Sequence, residues 1–99
     1  MATATATMQR MEVRVDRIFR LNGEGTIRAF CDVRIGDAIL IKGVRVVEGK
    51  KGLFASMPRE ADKDGTWYDL VRPLTKAMHA EIQRVVLEAY QELVEGRSG

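Results

Sequence analysis

The sequence predicts an α+β domain: an antiparallel sheet of about five strands in meander order, with a C-terminal amphipathic helix packed on one face. Three observations predict it. Short segments between Val13 and Val71 alternate apolar and polar residues, which is the period of a half-buried strand. Turn signals rich in glycine separate them: Asn22-Gly23-Glu24-Gly25, Gly36-Asp37 and Glu48-Gly49-Lys50-Lys51-Gly52. After Pro73 the apolar period lengthens to that of a helix. A run of strands followed by one helix places the helix on one face of an antiparallel sheet.

The first strand is expected over about Glu12–Leu21. Val13, Val15, Phe19 and Leu21 alternate with Glu12, Arg14, Asp16 and Arg20, and Arg17 breaks the pattern, which suggests a bulge or an interface contact there. The second strand carries Ile27, Ala29, Cys31, Val33 and Ile35 on one face, with Cys31 as a small core hydrophobe. Pairing Val13 with Val33 would set Val15 against Cys31 and Phe19 against Ile27. It would also set Glu12 against Arg34 and Arg14 against Asp32, so both faces favour that register.

The third strand is expected from about Ala38 to Glu48. Its opening run Ala38-Ile39-Leu40-Ile41 is apolar on both faces, so its second face needs the helix or a partner chain; Gly43 suggests a bend or bulge. Leu53–Met57 forms the fourth strand and Pro58 ends it. Residues 59–65 read as a charged loop with its turn at Asp64-Gly65, and a fifth strand covers about Thr66–Val71. Thr75 is placed to cap the helix, and Gly96 to stop it. Met78, Ile82, Val85, Val86, Ala89, Tyr90 and Leu93 form its apolar stripe. Residues 1–10 read as a disordered extension, 11–96 as one domain and 97–99 as a tail.

At 99 residues the chain makes one domain near the low end of comfortable stability, which a homodimer would relieve. No apolar run reaches the roughly 18 residues of a membrane span, and the N-terminus lacks the charged and apolar regions of a secretory signal. The single Cys31 allows no internal disulfide, and a cytoplasmic location fits best. Net charge is +2 but unevenly distributed. Arg10–Lys51 holds ten Lys/Arg against six Asp/Glu, whereas Gly52–Gly99 holds six against eight. The basic half is either a mixed solvated surface or a sheet end that meets phosphate.

Catalytic constellations are weak. His79 lies beside the helical stripe with no Cys or Ser placed to use it, and Ser56 lacks the spacing of a nucleophile elbow. Glu60, Asp62 and Asp64 lack the flanking ligands of a calcium loop. Met57 and Met78 suit the helix–sheet core, and Trp67 suits a core or interface anchor, with stacking on a base as its alternative. No catalysis, cofactor, metal or small-molecule substrate is expected. The better lead is a set of cations, Lys50, Lys51, Arg59, Lys63 and Arg72, the last beside a helix start whose free amides favour an anion. Ile39, Leu40 and Ile41 are the candidate dimer contact, because the apolar run and the open sheet edges need covering.

Gly52-Leu53-Phe54-Ala55-Ser56-Met57-Pro58, followed by Asp64-Gly65, Asp69 and Pro73, resembles the stage V sporulation protein G (SpoVG) family of bacterial septation regulators. Arg45-Val46-Val47-Glu48-Gly49 extends the resemblance, which covers about Met11–Glu95. It implies a cytosolic homodimer that binds DNA, in some members RNA, and that affects asymmetric septation and sporulation. It also implies nucleic-acid contact by basic residues after the Met-Pro and towards the helix. This chain has Arg59-Glu60-Ala61-Asp62-Lys63 there, and its helix is acidic, with Glu81, Glu88, Glu92 and Glu95 against Lys76 and Arg84. The alternative is a protein-interaction module that acts on a division or stress-signalling partner without touching nucleic acid.

Overall fold

A computed structural model describes residues 12–96; the expected extension at 1–10 and tail at 97–99 lie outside the described residues. Four strands, β1 (Val13–Arg20), β2 (Ile27–Ile35), β3 (Ile39–Gly49) and β4 (Gly52–Ser56), pair antiparallel in the order β1-β2-β3-β4. Two short strands, β5 (Arg59–Ala61) and β6 (Trp67–Asp69), pair only with each other, and one helix, α1 (Lys76–Glu95), follows. The class is α+β, as the periodicities predict. The fifth strand, however, belongs to a separate hairpin rather than to the main sheet. Its partner β5 falls in the segment expected to be a charged loop.

The β1–β2 register differs from the expected one by two residues before a bulge and by three after it. Val13 sits opposite Ile35 and Val15 opposite Val33; past a bulge at Asp16, Ile18 sits opposite Cys31 and Phe19 opposite Phe30. The bulge supplies the reason. Strict alternation would turn Arg17 into the core, whereas one extra residue turns Ile18 inward and leaves Arg17 and Phe19 outside. The expected cross-strand charge pairs are replaced accordingly. Arg34 bonds Asp16 at 3.0 Å, and Arg14 lies 3.7 Å from Glu12, the residue just before its own strand. A second bulge lies between β2 and β3, where Cys31 pairs with Val44 and Val33 with Ile41. Gly43 takes φ +84° there, a left-handed conformation that other residues adopt only under strain.

One face of the sheet and one stripe of α1 form the core. Val13, Ala29, Cys31, Val33, Ile41, Val44, Val46 and Ala55 are buried against Ile82, Val86 and Tyr90. Met57, Met78 and Val85 pack on its margin, and so does Leu87. Each fully buried Val or Ile contributes about 1.5–3 kcal/mol relative to exposure. Local caps fix the helix ends. Thr75 Oγ1 accepts a hydrogen bond from the Met78 N–H at 3.0 Å. Gly96, at φ 74°, donates its N–H to the Leu93 carbonyl at 3.2 Å. No helix among the described residues is long and apolar enough to cross a membrane.

Candidate nucleic-acid interface

The expected cations fall into three places along β4 and the hairpin beyond it. Lys50 and Lys51 occupy the tight turn closed by the Gly49–Gly52 pair at the start of β4. Lys50 borders a shallow depression with Arg28 and Glu48, and those two are bonded to each other at 2.8 Å. Arg59 and Arg72 lie past the other end of β4, which as a five-residue strand spans roughly 17 Å. Lys63 sits in the exposed turn between β5 and β6. The structure therefore brings Arg59 together with Arg72, and separates both from the Lys50-Lys51 pair and from Lys63.

Arg59 and Arg72 line an open groove of about 620 Å³ between β4, the segment before α1 and the first turns of the helix. Phe54, Ala55, Ser56, Met57, Asp69, Val71, Pro73, His79, Ile82 and Gln83 complete its walls. Cross-strand pairing puts Arg59 opposite Asp69, and the guanidinium Nε lies 3.2 Å from the Asp69 carboxylate. Exposed pairs of this kind contribute little to stability, but the carboxylate partly neutralises the cation it holds. Arg72 is exposed and enters none of the ion pairs found among the described residues. It stands three residues before Thr75, so the positive end of the α1 dipole lies on the same side of the groove.

The hairpin turn is ordered by its own hydrogen bonds. Asp62 Oδ1 accepts hydrogen bonds from the backbone N–H groups of Asp64 and Thr66, at 2.9 and 3.0 Å. Glu60 accepts from the Tyr68 hydroxyl at 2.8 Å, which pushes the Tyr68 phenol upward. Among the described residues no group of three or more His, Cys, Asp or Glu is placed to hold a metal ion. On the outer side of α1, Arg84 bonds Glu81 at 2.8 Å and Glu88 at 3.1 Å. The hydrogen bond from Arg84 holds the Glu81 carboxyl below its ordinary range, so this acidic face carries its own internal cation.

Of the candidate dimer residues, Ile41 is taken up by the core of its own chain, at 7% exposure, because strand alternation turns it inward. Ile39 and Leu40 stay exposed. Trp67 is also outside the core, with Tyr68, Leu70 and Leu74 exposed nearby in sequence. Sequence reasoning missed His79, Asp69 and Gln83 as groove residues. The available signal was Gln83, a polar residue following Ile82 within the apolar stripe.

The SpoVG family model matches residues 8–92. The chain is 38% identical over 81 residues to a protein of Archaeoglobus fulgidus, covering 82% of this chain and 95% of that one. It is 42% identical over 89 residues to a protein of Symbiobacterium thermophilum, covering 90% of this chain and 62% of that longer one. It is 33% identical over 85 residues to a protein of Staphylococcus aureus, covering 86% and 85%. Each of the three carries the name of a candidate septation protein, SpoVG. With a family-model match over most of its length and relatives 33–42% identical over more than four fifths of it, the chain belongs to the SpoVG family.

Proposed function

We propose that this SpoVG-family protein is a cytosolic homodimeric regulator of septation and sporulation that acts by binding DNA. The observation that carries the reading is the pairing of Arg59 and Arg72 across an open groove at the start of α1. Lys50 and Lys51 add a second cationic point at the far end of β4, and Lys63 a third on the hairpin. A dimer doubles each of them. The exposed Ile39, Leu40, Trp67, Tyr68, Leu70 and Leu74 support self-association, since exposed apolar groups of this size gain by being covered. Binding by scattered cations without base contacts is modest in affinity and falls steeply with salt.

The test is a gel shift with random-sequence DNA and RNA at two salt concentrations, repeated with Lys50→Glu/Lys51→Glu and with Arg59→Glu/Arg72→Glu. Binding at low salt that both double variants weaken supports the reading; unchanged binding in both would overturn the site. Light scattering at micromolar concentration tests the dimer, and a monomer there would refute it. A second reading has its own support in the acidic outer face of α1: a protein-interaction module that engages a division or stress-signalling partner without nucleic acid. Recovery of such a partner after nuclease treatment, with no gel shift, would favour it.

A further inference from the structure

The helix covers one face of the four-stranded sheet, and the opposite face carries an ordered set of rings and cations. Pairing places Phe19, Phe30, Arg45 and Ser56 directly opposite one another across all four strands. Val47 and Phe54 pair in the next row. Phe19 is 51% exposed, Phe30 37% and Phe54 43%, so three rings of one sheet face meet solvent. The Arg17 guanidinium lies over the Phe19 ring, 5.0 Å from its centroid. Strand alternation puts Lys42 beside this row, after the buried Ile41. Arg34 is held by Asp16, but Arg17, Lys42 and Arg45 enter none of the ion pairs among the described residues.

We infer that this helix-free face is a stacking platform for single-stranded nucleic acid, with Phe19 and Phe30 receiving bases and Arg17, Lys42 and Arg45 receiving phosphates. The inference rests on the nucleic-acid reading above, but it assigns a different surface and a strand preference. Charge complementarity selects the occupant. A purely apolar partner would bury Arg17, Lys42 and Arg45 with only the Asp32 carboxylate, the cross-strand neighbour of Arg17, beside them as counter-charge, which is costly. A second copy meeting this face by two-fold symmetry would set like cations against each other. A single strand offers what the face lacks, a phosphate line and exposed π faces, and both are accepted with little dependence on sequence. A duplex keeps its bases stacked inside, so it gains nothing from the rings. Neighbouring strands lie about 4.8 Å apart, so Phe19 and Phe30 present adjoining ring surfaces rather than isolated ones.

The experiment is fluorescence anisotropy of a short labelled oligodeoxythymidine and of a mixed-sequence duplex, both at low salt, with the full chain. Phe19→Ala/Phe30→Ala should weaken single-strand binding by about tenfold or more while leaving duplex binding unchanged. Phe19→Tyr/Phe30→Tyr keeps the π faces and should restore it. Because both rings are outside the core, circular dichroism should show the alanine variant folded; if it is not, Arg45→Ala, which removes a phosphate contact alone, must reduce single-strand binding for the inference to stand. Equal loss for both nucleic acids, or no loss for either, would overturn the platform. So would a change in the sedimentation of the alanine variant, which would mark the face as a self-association surface. Wild-type binding to duplex but not to oligodeoxythymidine would remove the platform and leave the proposed function; binding to neither would remove both.

Discussion

The side-chain amide of Gln83 makes both hydrogen bonds that a neighbouring strand would make to Ala55. Gln83 Oε1 accepts from the Ala55 N–H and Gln83 Nε2 donates to the Ala55 carbonyl, each at 2.8 Å. Ala55 lies on β4, the last strand of the sheet, so its outward N–H and C=O would otherwise face the groove unpaired. One helical side chain thus closes the sheet edge and joins α1 to β4. Gln83→Ala is expected to cost about 1–2 kcal/mol, two part-buried hydrogen bonds, in urea unfolding. Gln83→Glu should lose more at neutral pH, where a carboxylate faces the Ala55 carbonyl. It should recover as pH falls through the raised folded-state value of that carboxyl, since the protonated acid can donate again. Equal stability of all three proteins would show the amide to be idle.

Asp69 sets the charge of the groove by holding Arg59 at 3.2 Å. Asp69→Asn keeps the shape of the side chain and releases the cation. The expected result is DNA binding tighter by a few-fold, with a stability change under about 1 kcal/mol because the pair is exposed. Arg59→Ala should act in the opposite direction on binding. DNA affinity indifferent to both substitutions would place the phosphate contact elsewhere.

The strand alternation and the capped helix were legible because local chemistry decides them: Thr75 and Gly96 occupy the ends of α1 where their side chain and backbone freedom predict. The β1–β2 register was not legible. Two registers that differ by two residues bury the same faces, and the choice rests on the bulge at Asp16, which the irregular placement of Arg17 signalled without locating. The short β5 strand was hidden because Arg59, Glu60 and Ala61 are all exposed and show no alternation to read. For the site, sequence named Arg59 and Arg72 but not their nearness, since that depends on how the hairpin leads into α1. The outward turn of Phe19 follows from the same bulge, so the sheet-face platform lay beyond any reading by strict period.

Gly43 is a position where backbone conformation, not space, constrains the sheet. Its φ of +84° belongs to the left-handed region, yet an added Cβ would meet nothing within 4 Å. Any cost of substitution is therefore conformational rather than steric. Gly43→Ala should destabilise by about 1–2 kcal/mol, and Gly43→Val by more, because branching at Cβ suits that region least. Chemical denaturation of the two variants measures the difference; a neutral Gly43→Ala would mean that the bulge relaxes to negative φ.

Cys31 links burial to pH. The thiol is 1% exposed at the centre of the sheet, paired between Ile18 and Val44. Burial first, and then the neighbouring Asp32 charge, push it up from 9.0 to about 11. A group whose value is raised by folding contributes stability that is fully present below its unfolded value and is lost as pH rises through the folded one. The window is therefore pH 9.0 to about 11. Across it the wild-type urea midpoint should fall more than that of Cys31→Val, which has no proton to lose. Asp32→Asn removes the second cause and should give an intermediate slope. Iodoacetamide at alkaline pH offers an independent check, because only a thiolate reacts: the folded protein should be alkylated no faster than it unfolds, whereas the denatured chain reacts at once. Parallel midpoints for wild type and Cys31→Val, or rapid alkylation of the folded protein, would contradict a protonated core thiol.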